Sequence, residues 1–174
     1  MFESAQVEEV YSELRKIAAI HLSRSVRKPS LQPTQLVHEV WLRLAGRGWN
    51  SRTHFLALAS RTMRTLLIDA IRARMAQKRG SGSGALSLES HVEFGGPTLS
   101  MPIDQIIEVD RALADLALKD ERKARVVEMR FFGGLELQEI AEVLEISLAT
   151  VKRDWEFSRA WLFARLGSTP SQPN

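Results

Sequence analysis

The chain has 174 residues, 44% hydrophobic and 26% charged, with ten glycines, six prolines and no cysteine. That composition is ordinary for a globular protein and excludes a collagen-like repeat, wholesale disorder, a disulfide framework and any thiolate metal site or nucleophile. Net charge is only +3, yet residues 1–80 carry +8, residues 81–110 carry −5 and residues 111–174 balance, which points to a polyanion partner for the first part, the alternative being a solvated helical surface.

Val7, Val10, Tyr11, Leu14, Ile17 and Ala18 recur at the spacing of one helix face. Pro29 and Pro33 break the chain, and Thr34 is placed to cap a second helix whose stripe is Leu36, Val37, Val40, Trp41 and Leu44. That helix ends near Gly46 and Gly48. A long third helix is predicted from Ser51–His54 to about Lys78, with Phe55, Ala59, Met63, Leu66, Leu67, Ala70 and Ile71 as its apolar stripe. Gly80-Ser81-Gly82-Ser83-Gly84, then Gly95-Gly96-Pro97, mark a flexible tether at about 80–102, with one weakly strand-like stretch at 86–94. Beyond it, Ile106, Val109, Leu113, Leu116 and Ala117 form one helical stripe, and Ala124, Val127 and Phe131 another. Two further helices follow Gly133-Gly134, and a tail at 168–174 is expected to fray. The predicted fold is all-α, in two small helical bundles joined by a flexible linker.

Residues 137–156, LQEIAEVLEISLATVKRDWE, have the layout of a helix-turn-helix. Ile140, Leu144, Ile146 and Val151 supply the core, Ala141 permits close approach, and Ser147 is placed to cap the second helix. Ala149, Thr150, Lys152 and Arg153 then occupy the early turns from which a recognition helix reaches base edges and phosphates. The turn position usually given to glycine is Glu145 here, a cost of about 1 kcal/mol if φ is positive. An ordinary helical hairpin shares most of this periodicity.

Arg61, Arg64, Arg72 and Arg79 fall near one line of the long helix, with Thr65 and Ile68 between them, so that face offers charge, a hydroxyl and an apolar contact. Upstream, Trp49-Asn50-Ser51-Arg52 and His54-Phe55 interleave aromatic, polar and basic groups, a mixture suited to unstacked bases, although core packing accounts equally for Trp49 and Phe55. His21, His38, His54 and His91 lack metal-ligand spacing, and no phosphate-cradling glycine motif precedes a helix. No cofactor, metal site or catalytic residue is expected. No stretch approaches the roughly 18 uninterrupted apolar residues of a membrane span. Met1-Phe2-Glu3-Ser4-Ala5-Gln6 does not read as a secretory signal, so a cytoplasmic protein without membrane contact is expected.

Three segments in this order resemble the extracytoplasmic-function (ECF) sigma factors, the minimal two-domain form of the bacterial primary sigma family. LVHEVWLRL (36–44) resembles the family's core-polymerase-binding helix. FLALASRTMRTLLIDAIRARMAQKR (55–79) resembles its promoter-melting helix, and FFGGLELQEIAEVLEISLATVKRDWEFSRAWL (131–162) its C-terminal helix-turn-helix. TVKRDW with RAWL narrows the likeness to one subgroup. The resemblance implies a sigma-two-like domain at 1–79, the linker at 80–102, a sigma-four-like domain at 103–167 and a disordered tail. It implies a transcription initiation factor, not an enzyme, that binds core RNA polymerase and directs it to promoter DNA, with an anti-sigma protein as a further conceivable partner. By position, polymerase contacts fall on Gln35, Leu36, Val37, Glu39, Trp41 and Arg43, and Val40 and Leu44 are expected in the core. Contacts to a melted −10 element fall on Asn50, Arg52, Arg61, Arg64, Thr65 and Arg72, including a loop that captures an extruded base. Contacts to a double-stranded −35 element fall on Ser147, Ala149, Thr150, Lys152, Arg153 and Arg159. The family often has acidic residues just before its polymerase-binding helix, where this chain has Gln32-Pro33-Thr34-Gln35. A helix-turn-helix regulator that is not a sigma subunit, and an RNA-binding accessory protein, are the rival readings.

Overall fold

A computed structural model describes residues 4–23, 32–80 and 103–167. The described residues form seven helices and no strand: α1 (Ser4–Ser23), α2 (Pro33–Leu44), α3 (Arg52–Gly80), α4 (Ile103–Lys119), α5 (Glu121–Gly133), α6 (Leu137–Leu144) and α7 (Leu148–Gly167). The all-α expectation holds. The predicted linker beyond Gly80, its strand-like stretch, the tail and the side chain of Arg79 lie outside the described residues.

The helix ends follow local chemistry. Pro33 opens α2, where its missing N–H costs nothing, and the Gln32 N–H donates to Gln35 Oε1 at 3.0 Å. Thr34, predicted to cap this helix, instead lies within its first turn: proline's fixed φ starts the helix two residues earlier, with Gln32 at the cap position. Ser51 caps α3, its Oγ accepting from the His54 N–H at 3.1 Å. Asp120 caps α5 by accepting from the Lys123 N–H at 3.1 Å, and the Lys123 side chain and N–H hold its carboxyl below the usual carboxylate range.

The predicted stripes are the ones that pack. Val10, Leu14, Ile17 and Ala18 of α1 are buried, as are Leu36, Val37, Val40 and Leu44 of α2, and Phe55, Ala59, Met63, Leu67 and Ile71 of α3. In the C-terminal half, α5 packs on α4 and α7, and α6 on α7. Ile106, Leu113, Val127, Phe131, Phe132, Ile140 and Val151 line the interior, whereas Tyr11, predicted on the α1 stripe, and Ala117, predicted on the α4 stripe, are exposed.

The two sets of helices also pack on each other, with α3 against α5 the most extensive helix pair among the described residues. One apolar cluster runs from Val10 of α1 to Leu162 of α7. His21 of α1 is sealed into this junction, stacked on Phe132 with ring centroids 5.6 Å apart. Its Nε2 lies 3.0 Å from the Phe131 carbonyl oxygen, and since a carbonyl only accepts, the proton sits on Nε2. Burial pushes the imidazole pKa down to about 4, so the ring is neutral at pH 7.

Candidate nucleic-acid interface

Helices α6 and α7 meet at a tight turn. The N–H groups of Glu145 and Ile146 bond back to the carbonyls of Glu142 at 3.3 Å and Ala141 at 3.1 Å, closing the end of α6. This closure requires Glu145 at φ 54° and ψ 40°, the one non-glycine residue with positive φ among the described residues. The strain expected from the sequence is therefore present.

Ser147 caps α7 as predicted, its Oγ accepting from the Thr150 N–H at 3.1 Å. Ala149, Lys152 and Arg153 are exposed on the next turns and Thr150 is half-buried. Val151 and Trp155 anchor the opposite side in the core. Arg159 lies farther along the helix, exposed, with its guanidinium 6.0 Å from the Trp155 ring centroid.

Asp154 shows how this helix is held. Its carboxylate is buried and accepts from Arg122 Nε at 2.7 Å, with Lys123 Nζ at 3.7 Å. Arg122 in turn is pushed above its ordinary pKa by that carboxylate. The first turn of α5 is thus pinned to the second turn of α7, fixing the direction in which Lys152 and Arg153 project. Periodicity placed Asp154 on a helix but gave no sign of its partners, which lie about thirty residues away.

Helix α7 is therefore a rigid rod with a capped, cationic, exposed N-terminus, supported from behind by a short helix across a tight turn. Over residues 3–168 the sequence matches the family described as ECF sigma factor. The chain belongs to the ECF sigma factor family. No curated protein and no solved structure matches it. ECF sigma factors act in transcription initiation and bind DNA and RNA polymerase; as a family they are not enzymes. No helix among the described residues is long and apolar enough to cross a membrane.

In this ECF sigma factor the arginines predicted on one line of α3 divide into two groups. Arg61 and Thr65 are exposed, the Thr65 hydroxyl bonded to the Arg61 carbonyl at 3.1 Å. Asn50, just before α3, is exposed and its Oδ1 lies 3.0 Å from His54 Nδ1. Arg64 is different. Its side chain is 19% exposed, with Nε donating to Asp110 Oδ1 at 2.8 Å, Nη2 to the Asp110 carbonyl at 3.1 Å and Nη1 to Glu128 Oε2 at 2.9 Å. Arg72 lies 3.4 Å from the other Asp110 oxygen but keeps most of its surface in solvent.

Arg52 is also engaged. It forms a two-pronged pair with Glu13 of α1 and donates through Nη1 to Glu139 of α6 at 2.5 Å. The pairing with Glu13, then Glu139, raises its pKa further and keeps it charged. Ile68, predicted to offer an apolar contact on this face, is only 3% exposed and belongs to the shared core. The correction has a simple cause: α4 and α5 pack on α3, and Asp110 of α4 pairs with Arg64 and Arg72 on either side of Ile68.

On α2 of the ECF sigma factor, Gln35, Glu39 and Arg43 form the exposed face, Arg43 lying 3.9 Å from Glu39. Val40 and Leu44 are in the core as expected. Leu36 and Val37, predicted among the polymerase contacts, are fully buried as well, so they shape the inner face of the helix rather than its outer surface. Trp41 is half-buried in an aromatic cluster, 5.1 Å from Phe55 and 6.2 Å from Trp49, with Trp49 and Phe55 4.6 Å apart. Phe55 is core, and Trp49 is half-buried against it.

Proposed function

We propose that this ECF sigma factor binds core RNA polymerase in the cytoplasm and directs it to promoters with two separate DNA contacts. The exposed early turns of α7 read a double-stranded −35 element: Arg153 reaches a base edge, Lys152 a phosphate, and Ser147, Ala149, Thr150 and Arg159 complete the contact. Asn50 just before α3, with Arg52, Arg61, Arg64, Thr65 and Arg72 along it, binds the separated strand of the −10 element. Extruding a base from the duplex costs a few kcal/mol. Capture of that base and phosphate contacts to its strand offset this without hydrolysis, and the polymerase carries out phosphoryl transfer. Gln35, Glu39, Trp41 and Arg43 meet the polymerase. In this reading residues 1–79 and 103–167 act as two domains joined through 80–102, and an anti-sigma protein is a further partner.

The observation that carries the proposal is the capped, cationic N-terminus of α7, standing clear of the core on a turn built at some backbone cost. The test is to add the purified protein to sigma-free core polymerase and sequence the transcripts. Transcripts starting downstream of a shared pair of sequence elements are expected. A protein that binds DNA yet yields none with core polymerase would be a regulator of another kind.

A further inference from the structure

Helix α7 turns about 100° per residue, so Ala149, Arg153 and Glu156 point within roughly 60° of one another, away from buried Val151, Asp154 and Ser158. All three are exposed, and so is Ala160, one turn farther on the same line. Glu156 therefore shares the outward direction of Arg153 more closely than Arg159 does. It is an acid among cations: Lys152 stands four residues before it, Arg153 three before and Arg159 three after. Among the described residues no ion pair involves Glu156, and the Arg159 guanidinium lies toward the Trp155 ring instead. A carboxylate brought against a duplex is repelled by the phosphates on both walls of the groove. It offsets that cost only by accepting a hydrogen bond from a base edge. Two groups on the major-groove edges donate, the N4 amino group of cytosine and the N6 amino group of adenine. Adenine sets its N7 acceptor beside the donor, which repels a group that only accepts; cytosine does not. Ala149 and Ala160, small and on the same line, let the groove floor come close to this carboxylate.

We propose that Glu156 reads a cytosine in the double-stranded −35 element, its carboxylate accepting from the N4 amino group. This rests on the −35 reading of α7 and adds a specificity-determining residue to it. Glu156 lies three residues beyond Arg153, about 4.5 Å along the helix axis, so the cytosine sits one or two base pairs from the base that Arg153 reads. The arginine fork matches guanine, so the two residues together select G·C pairs side by side or nearly so. The carboxylate also works by exclusion. Opposite guanine or thymine it meets only acceptors or a methyl group, and such a complex keeps the repulsion without gaining the bond.

The test uses the full chain bound to core polymerase and a pool of DNA duplexes of random sequence. Bound DNA is recovered and sequenced for the parent, Glu156→Ala, Glu156→Gln and Arg153→Ala. The parent should enrich cytosine roughly tenfold over the other bases at one fixed position of the upstream element. Glu156→Ala should bring that preference below about twofold and leave the neighbouring positions as they were. Glu156→Gln should move the preference from cytosine to adenine, because an amide donates to N7 while accepting from N6. Arg153→Ala should relax its own position and spare the cytosine. Loss of folding cannot exchange one preferred base for another, so the glutamine variant separates base reading from a structural role. Unchanged base preferences in Glu156→Ala, with every sequence bound more tightly, would reduce Glu156 to a repulsive charge and overturn the proposal while the −35 reading stands. A parent that enriches no shared upstream element would sink the −35 reading and this inference with it.

Discussion

Arg153 and Asp154 are successive residues of α7 that serve different sides of it: the guanidinium stands in solvent, while the carboxylate is buried 2.7 Å from Arg122 Nε. A helix turns about 100° per residue, so one step along the chain separates the DNA-facing surface from the surface that holds the helix in place.

The two should therefore respond differently to substitution. Arg153→Ala should leave stability within about 0.5 kcal/mol. It should cost roughly 1–3 kcal/mol of binding and relax preference at one −35 position. Asp154→Ala should lower stability more than Arg153→Ala does, because it removes the buried acceptor that ties Arg122 of α5 to α7. Lys152→Ala should weaken all sites alike and lower the salt slope by about one. Urea unfolding and salt-dependent binding to a promoter duplex measure all three.

Gly133 of α5 lies close against Ser60 of α3. A Cβ on Gly133 would lie 2.8 Å from the Ser60 Cβ and 2.7 Å from a Leu135 methyl. Helix propensity alone favours alanine over glycine by about 1 kcal/mol, but the Ser60 Cβ is fixed to the α3 backbone and cannot swing aside. Gly133→Ala should therefore destabilise by roughly 1–3 kcal/mol. An increase in melting temperature would show that the contact yields.

His21 makes stability depend on pH. Its folded pKa, about 4, lies below the unfolded value near 6.5, so between them the unfolded chain binds more protons. Its contribution is fully present above the unfolded pKa and declines as pH falls from there toward the folded pKa. The expected loss is roughly 2 kcal/mol between about pH 7.5 and pH 5. His21→Phe keeps a ring against Phe132 and should flatten the profile in that window. An unchanged slope would mean that other groups carry it.

Glu145 is strained for the sake of the turn. Glu145→Gly should raise stability by about 1 kcal/mol, whereas Glu145→Ala should not. Loss of the carboxylate beside the recognition helix should not weaken DNA binding. Thermal unfolding of the two variants separates relief of φ from removal of charge.

Periodicity and punctuation in the sequence located the described helices, most of each buried stripe and the turn of the helix-turn-helix, because these depend on residues within one or two turns of each other. Ser147 as a cap and Glu145 as a strained position were legible for the same reason. The order of three motifs pointed to the family. What the sequence could not contain was the neighbour across the α3–α4 and α3–α5 contacts. Arg61 and Arg64 look alike on one line of a helix, yet Arg61 is exposed while Arg64 is held by Asp110 and Glu128, 46 and 64 residues away. Ile68 read as an exposed apolar contact and Leu36 and Val37 as part of a partner surface; all three are buried. A helical repeat specifies which residues share a face. Which element covers that face is decided only when the distant carboxylates and apolar stripes of the second half come down upon it.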